Sequence, residues 1–86
     1  MEVQIGLVVY SRAGRDQGEC LAVVGQDGDF LLLCNGKDRP LERPKKKNSK
    51  HLVLTDTVLD NGSMSTNRSL RRTLKSFSDV AHESGI

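Results

Sequence analysis

Leu7-Val8-Val9-Tyr10, Gly14-Arg15-Asp16-Gln17-Gly18 and Leu21-Ala22-Val23-Val24 make one unit: an apolar run, a basic turn bounded by glycines, and a second apolar run. Two glycines four apart let the backbone reverse with positive φ at either end, a conformation that a Cβ disfavours. The flanking runs have strand length, so the unit reads as two antiparallel strands joined by a tight loop. Ser11 and Arg12 precede Gly14, and the loop therefore presents two guanidinium groups, Arg12 and Arg15, on a backbone held by its strands. A guanidinium fork donates two hydrogen bonds at once and suits phosphate. Any hairpin also needs a polar turn for solvation, and this stretch alone does not separate the two readings.

Outward from this unit, the chain breaks into further short strands. Residues 3–10 alternate well enough for a first strand, with Gly6 easing a bend, and residues 19–26 form a second. Asp27-Gly28 is a hairpin signal, and Phe30-Leu31-Leu32-Leu33-Cys34 makes a third strand whose unbroken apolarity predicts burial on both sides. Asn35-Gly36 predicts a second turn of the same type, leading to a fourth strand over 37–42 that Pro40 confines to an edge or a bulge. His51 to Thr55 reads as a fifth strand. Five short antiparallel strands curled together give a mainly β fold, a small SH3-like barrel.

Residues 61–66 are small and polar and read as a linker. Thr66 or Asn67 can cap a helix over 67–78, in which Leu70, Leu74 and Phe77 fall at i, i+4 and i+7 and form one apolar stripe. Arg68, Arg71, Arg72 and Lys75 fall on the adjoining face, either as a solvated surface or as part of a binding one. The tail, 79–86, contains Gly85 and two acids and is expected to fray. The organisation expected is thus a barrel over 1–60, the linker, one amphipathic helix and the tail.

Eighty-six residues support one domain with a modest core, and a composition 36% hydrophobic but only 3% aromatic makes that core mostly valine and leucine. No run approaches the roughly 20 apolar residues of a membrane span, and no signal peptide is visible at the N-terminus, so a cytoplasmic protein with no membrane partner is expected. Cys20 and Cys34 lack zinc spacing and are too few for a disulfide scaffold, so free thiols are expected. His51 and His82 are isolated from each other, and no serine, cysteine or carboxylate pair offers a catalytic arrangement. Neither an enzyme, a cofactor, a metal nor a small-molecule substrate is indicated.

Charge is the informative part of the composition. The formal net charge is only +2, but residues 37–50 carry seven Lys or Arg against two acids, a balance of +5, which leaves −3 for the remainder. Concentrated in this way, positive potential attracts a polyanion where an even spread would not. Pro44 forces Arg43 toward an extended conformation, so Lys45-Lys46-Lys47 is expected to start as a loop held away from the sheet. Three consecutive lysines point in different directions and suit contact with several phosphates, with affinity falling steeply in salt. A solubilising loop is the bland alternative. Tyr10, Phe30 and Phe77 are the only aromatics, and at least two are wanted for the core, so no platform exists for stacking unpaired bases. That favours structured RNA gripped by its backbone.

From Gly6 to about Leu33 the chain resembles a KOW motif, in Gly6, the Val8-Val9 pair, the Gly14 and Gly18 spacing and the Val23-Val24 strand. It is most similar to the bacterial KOW-domain RNA-binding proteins that are related to a large-subunit ribosomal protein of archaea and eukaryotes. Ser11-Arg12-Ala13-Gly14-Arg15-Asp16-Gln17-Gly18 resembles one signature of that family, and Pro44-Lys45-Lys46-Lys47-Asn48-Ser49-Lys50-His51-Leu52 a second. Many KOW motifs carry a further glycine three residues after the second one; here that place is Leu21. The likeness covers about residues 1–60. It implies an SH3-like barrel, translation-related and ribosomal protein-like, that binds RNA, in particular ribosomal RNA of the large subunit. Arg12 and Arg15 would then meet phosphates directly, with Ser11 beside them, while Arg43, Lys45, Lys46, Lys47, Asn48 and Lys50 hold an adjacent segment. His51 would either donate to a phosphate or pack at the strand start. The alternative from another class is an SH3-like protein-interaction module that binds a transcription or translation factor. Oligomeric state is not legible.

Overall fold

The computed structural model describes the backbone of residues 3–15 and 17–84, with side chains as far as Phe77. Asp16 of the turn, the side chain of His82 and the last two residues, Gly85 and Ile86, lie outside the described residues. Five strands, β1 (Leu7–Ser11), β2 (Cys20–Asp27), β3 (Phe30–Cys34), β4 (Lys45–Asn48) and β5 (Leu52–Val58), form one antiparallel sheet in the order β4-β3-β2-β1-β5. The sheet curls into a small SH3-like barrel. A single 3-10 turn, Ser49–His51, joins β4 to β5, and two helices follow, α1 (Asn61–Met64) and α2 (Asn67–Ser84).

Both parities of the central strands are buried, because the sheet has two covered faces. Leu7, Val9, Leu21, Val23, Leu31, Leu33 and Leu52 fill the barrel interior. Val8, Cys20, Ala22 and Cys34 face outward and are covered by Leu70 and Leu74 of α2, with Phe77 at the margin. The continuous apolarity of β3 is explained by this arrangement: Leu31 and Leu33 point in, Cys34 points to the helix. Small residues at 20, 22 and 34 let the helix approach closely. Thr66 is its cap, its Oγ1 accepting from the Ser69 N–H at 3.1 Å while its carbonyl accepts from Leu70.

Several boundaries differ from those the sequence predicts. The first strand begins at Leu7 and not at Val3: residues 5 and 6 form a turn, the Gly6 N–H donates to the Val23 carbonyl, and Ile5 stays 59% exposed. Residues 61–66 are not only linker, since Asp60 accepts from the Ser63 N–H at 2.7 Å and starts the one-turn α1. That hydrogen bond holds the Asp60 carboxyl below its usual range. Helix α2 runs to Ser84, past the expected end at Ser78, because nothing before Gly85 breaks it.

The fourth strand is the largest correction. Residues 37–42 do not pair; Asn35 Oδ1 accepts from the N–H groups of Lys37 and Arg39, and the Asn35 N–H donates to the Arg39 carbonyl. The side chain of Asn35 thus folds the chain into a compact loop where a two-residue hairpin turn was expected. Pro40 and Pro44 interrupt any ladder over this span. The edge of β3 is taken instead by Lys45–Asn48, the first stretch with an uninterrupted set of N–H groups. Lysines at an exposed edge also deter pairing with another chain.

Cys20 and Cys34 are free and buried. Ala22 pairs directly with Cys34, which leaves Cys20 a diagonal neighbour on the same face. Burial pushes both thiols up to about 11 from an ordinary value near 9. Both groups are raised in the folded state, so their contribution is full below about pH 9 and is lost as pH climbs toward 11. Tyr10, raised by its own burial and then by Cys20, acts in the same direction. Unfolding free energy is expected to fall by on the order of 1 kcal/mol per thiol between about pH 8 and 10, read from urea midpoints. A Cys20→Ala/Cys34→Ala protein that keeps the full alkaline slope would contradict this.

Candidate nucleic-acid interface

The barrel end nearest the basic loop is assembled from two distant segments. Ser11 closes β1 and pairs with Leu52 at the start of β5, and the Arg12 N–H donates to the His51 carbonyl at 2.9 Å. The loop itself is closed by the Gly18 N–H on the Ser11 carbonyl, 2.7 Å, with Gly14 and Gly18 at φ +84 and +88. The glycine spacing therefore does what the sequence predicts, and Arg12 and Arg15 are carried exposed on the loop.

Lys47 fastens the second segment to the first. Its ammonium donates to Ser11 Oγ at 2.7 Å and to the Ala13 carbonyl at 2.8 Å. Ser11 Oγ donates in turn to the Ala13 carbonyl, 3.0 Å, and the residue is only 3% exposed. Ser11 is accordingly a fixed joint under the loop, not an exposed contact. In β4 the direct partners of Lys45 and Lys47 are Leu33 and Leu31, so these two lysines share the inner face and are half-buried. Their stems lie over apolar neighbours, as long cationic side chains commonly do.

Lys46 stands on the other face. Its ammonium pairs with Asp27 Oδ2 at 2.8 Å and lies 5.2 Å from the centre of the Phe30 ring. That hydrogen bond, and then the charge of Lys46, hold the Asp27 carboxyl below its usual range. The run Lys45–Lys47 is therefore a strand with side chains on two faces, where a loop held away from the sheet was expected. Phe30, counted toward the core from sequence, is 40% exposed. It is the exposed aromatic that sequence reasoning missed, and no local signal marks it, since its apolar run looks the same at every position.

Asn48 caps the 3-10 turn, its Oδ1 accepting from the Lys50 N–H at 3.0 Å. Lys50 and His51 are exposed on that turn, next to Arg12 through the backbone bond already described, and Arg43 is exposed where the chain enters β4. The structure thus brings Arg12, Arg15, Lys50 and His51 to one end of the barrel, bridged by Lys47. Lys46, with Asp27 and Phe30, flanks it on the outer face of β4.

A second concentration of cations lies along α2. An open groove of about 910 Å³ runs between α2 and the 35–38 loop; Lys37, Arg68, Arg71, Arg72 and Lys75 line it. Leu74 and Cys20 also line it, with Glu19 and Asp38 as the acidic side chains. Among the described residues, no group of three or more His, Cys, Asp or Glu is placed to hold a metal ion, and no helix is long and apolar enough to cross a membrane. No protein-family model matches the chain, and no curated protein is similar to it at a significant level.

Proposed function

We propose that the protein is a cytoplasmic, ribosome-associated RNA-binding protein, which grips structured RNA of the large subunit by its phosphate backbone through the barrel end. The observation that carries this reading is the junction of two basic segments more than thirty residues apart in sequence. The Arg12 N–H on the His51 carbonyl, and Lys47 on Ser11 and Ala13, join the loop, β4 and the 3-10 turn in one surface. The likeness of residues 6–33 and 44–52 to KOW proteins points the same way. Arg12 and Arg15 supply paired donors to phosphate, and Lys50 and His51 extend the contact along the backbone.

Arg12→Gln/Arg15→Gln should weaken binding to a structured RNA about tenfold near 0.15 M salt and make the salt dependence shallower by one to two phosphates. Both side chains are exposed, so stability should stay within about 0.5 kcal/mol of wild type. Sedimentation of the tagged protein from lysate, at low and high salt, gives the cellular test. Travel with the large ribosomal subunit at low salt and release at high salt supports the proposal; a protein that stays at the top of the gradient without RNA at low salt rejects it.

A second reading, an SH3-like module that binds a transcription or translation factor, is favoured by one feature. Edge strand β5 exposes Val53, Leu54 and Val58, and an exposed edge can accept another strand. Capture of such a factor that survives high salt, and that a charge at Val53 or Leu54 abolishes, would favour this reading over RNA.

A further inference from the structure

The basic face of α2 is built against the interest of the helix that carries it. Arg68 stands three and four residues from Arg71 and Arg72, and Lys75 stands three and four from Arg72 and Arg71, so four like-charged pairs meet on one surface. Arg68 lies in the first turn, where the dipole disfavours a cation, and that turn has no acidic residue. No carboxylate stands between Arg68 and Lys75 to offset this repulsion. Among the described residues, none of these four cations, nor Lys37 across the groove, is held in an ion pair. Positive charge accumulated at the expense of local stability marks a surface kept for an anionic ligand.

We propose that this groove is a second anion-binding site, which takes a phosphodiester backbone of the same structured RNA that the barrel end grips; the inference rests on that RNA-binding reading. Two features set the groove beside the base of the loop. Glu19 and Cys20, which line the groove, follow directly on loop residue Gly18, and the Ser11 N–H donates to the Glu19 carbonyl at 2.9 Å. The groove is also polarised. Asp38, held by Asn35 Nδ2 at 2.7 Å, and Glu19 repel phosphate, so the backbone runs along the α2 wall. Its 2′-hydroxyls then face the carboxylates, which can accept from them.

The test uses the full chain and a labelled RNA hairpin of about 16 base pairs, with affinity measured from about 50 to 200 mM salt. In the variant Arg68→Gln/Arg71→Gln/Arg72→Gln/Lys75→Gln, glutamine keeps helix propensity, so thermal stability should be equal or higher. Affinity should fall tenfold or more, and the salt slope should become shallower by about 3, at roughly 0.7–0.9 per phosphate. Arg72→Gln/Lys75→Gln should give about half that change in slope and serves if the fourfold variant does not fold. If the helix variants bind as wild type while Arg12→Gln/Arg15→Gln loses affinity, the groove is not part of the site and the RNA reading stands. If wild type does not bind the hairpin at low salt, both fall.

Discussion

Replacing Gly36 by alanine is expected to lower the stability of the fold by about 4 kcal/mol, through the docking of α2. Gly36 has φ +77, where a Cβ is strained by about 1–2 kcal/mol. The added methyl would also collide with the Asn67 carbonyl oxygen and stand 3.0 Å from the Arg71 nitrogen, both backbone atoms of α2. Backbone cannot swing aside as a flexible side chain does, and overpacking of this kind adds about 1–3 kcal/mol. The loop that holds Gly36 is also tied to the helix start, since Asn67 Oδ1 accepts from the Leu41 N–H and its Nδ2 donates to Glu42. Relief therefore requires the helix to lift from Val8, Ala22 and Cys34. For a domain of this size the loss corresponds to a melting temperature lower by about 15–30 °C. Lifting the helix would also expose the thiols, and their reaction with a disulfide reagent at neutral pH should accelerate. Gly18→Ala is the control: its φ of +88 is similar but no atom lies within 4 Å of the added Cβ, so it should lose only the conformational part. Equal effects at the two positions would contradict the steric account.

Replacing Lys47 by alanine is expected to destabilise the protein by about 2–3 kcal/mol, while Lys46→Ala leaves the unfolding midpoint nearly unchanged. Both are lysines of one short strand, and sequence gives no reason to separate them. Lys47 donates two charge-assisted hydrogen bonds to Ser11 and Ala13, and Ser11 is nearly inaccessible to the water that would have to replace it. Lys46 meets an exposed Asp27, where solvent competes for both charges. Lys47→Met keeps the stem and should lose nearly as much as alanine, which assigns the effect to the ammonium. A Lys47→Ala protein of wild-type stability would remove the joint between β4 and the loop. It follows that alanine at all three lysines confounds folding with binding; Arg12, Arg15 and Lys50, all exposed, test the interface more cleanly.

The elements read correctly from sequence are those whose cause is local. Gly14 and Gly18 adopt positive φ because no neighbour needs to be known for a glycine to do so. Asp27-Gly28 opens the hairpin between β2 and β3, and the stripe Leu70, Leu74 and Phe77 meets the core because a helical period is written in the chain itself. What failed was decided by partners. Residues 37–42 look as fit for a strand as 45–48 until Asn35 claims the N–H groups of Lys37 and Arg39. Ser11 looks like an exposed loop hydroxyl until Lys47 covers it, and Phe30 looks like core until it is found on the outer face of the sheet beside Lys46.

By itself, then, the sequence determined a five-stranded antiparallel barrel with a docked amphipathic helix, and a chain whose positive charge is gathered in a few segments. These rest on period, turn chemistry and composition, which act over a handful of residues. Which lysine is a joint and which is surface, where the fourth strand lies, and that the loop adjoins the 3-10 turn were settled only by the packing of the whole chain. Those outcomes depend on which buried donor finds which acceptor across tens of residues, and satisfying such groups is a property of the whole packed chain.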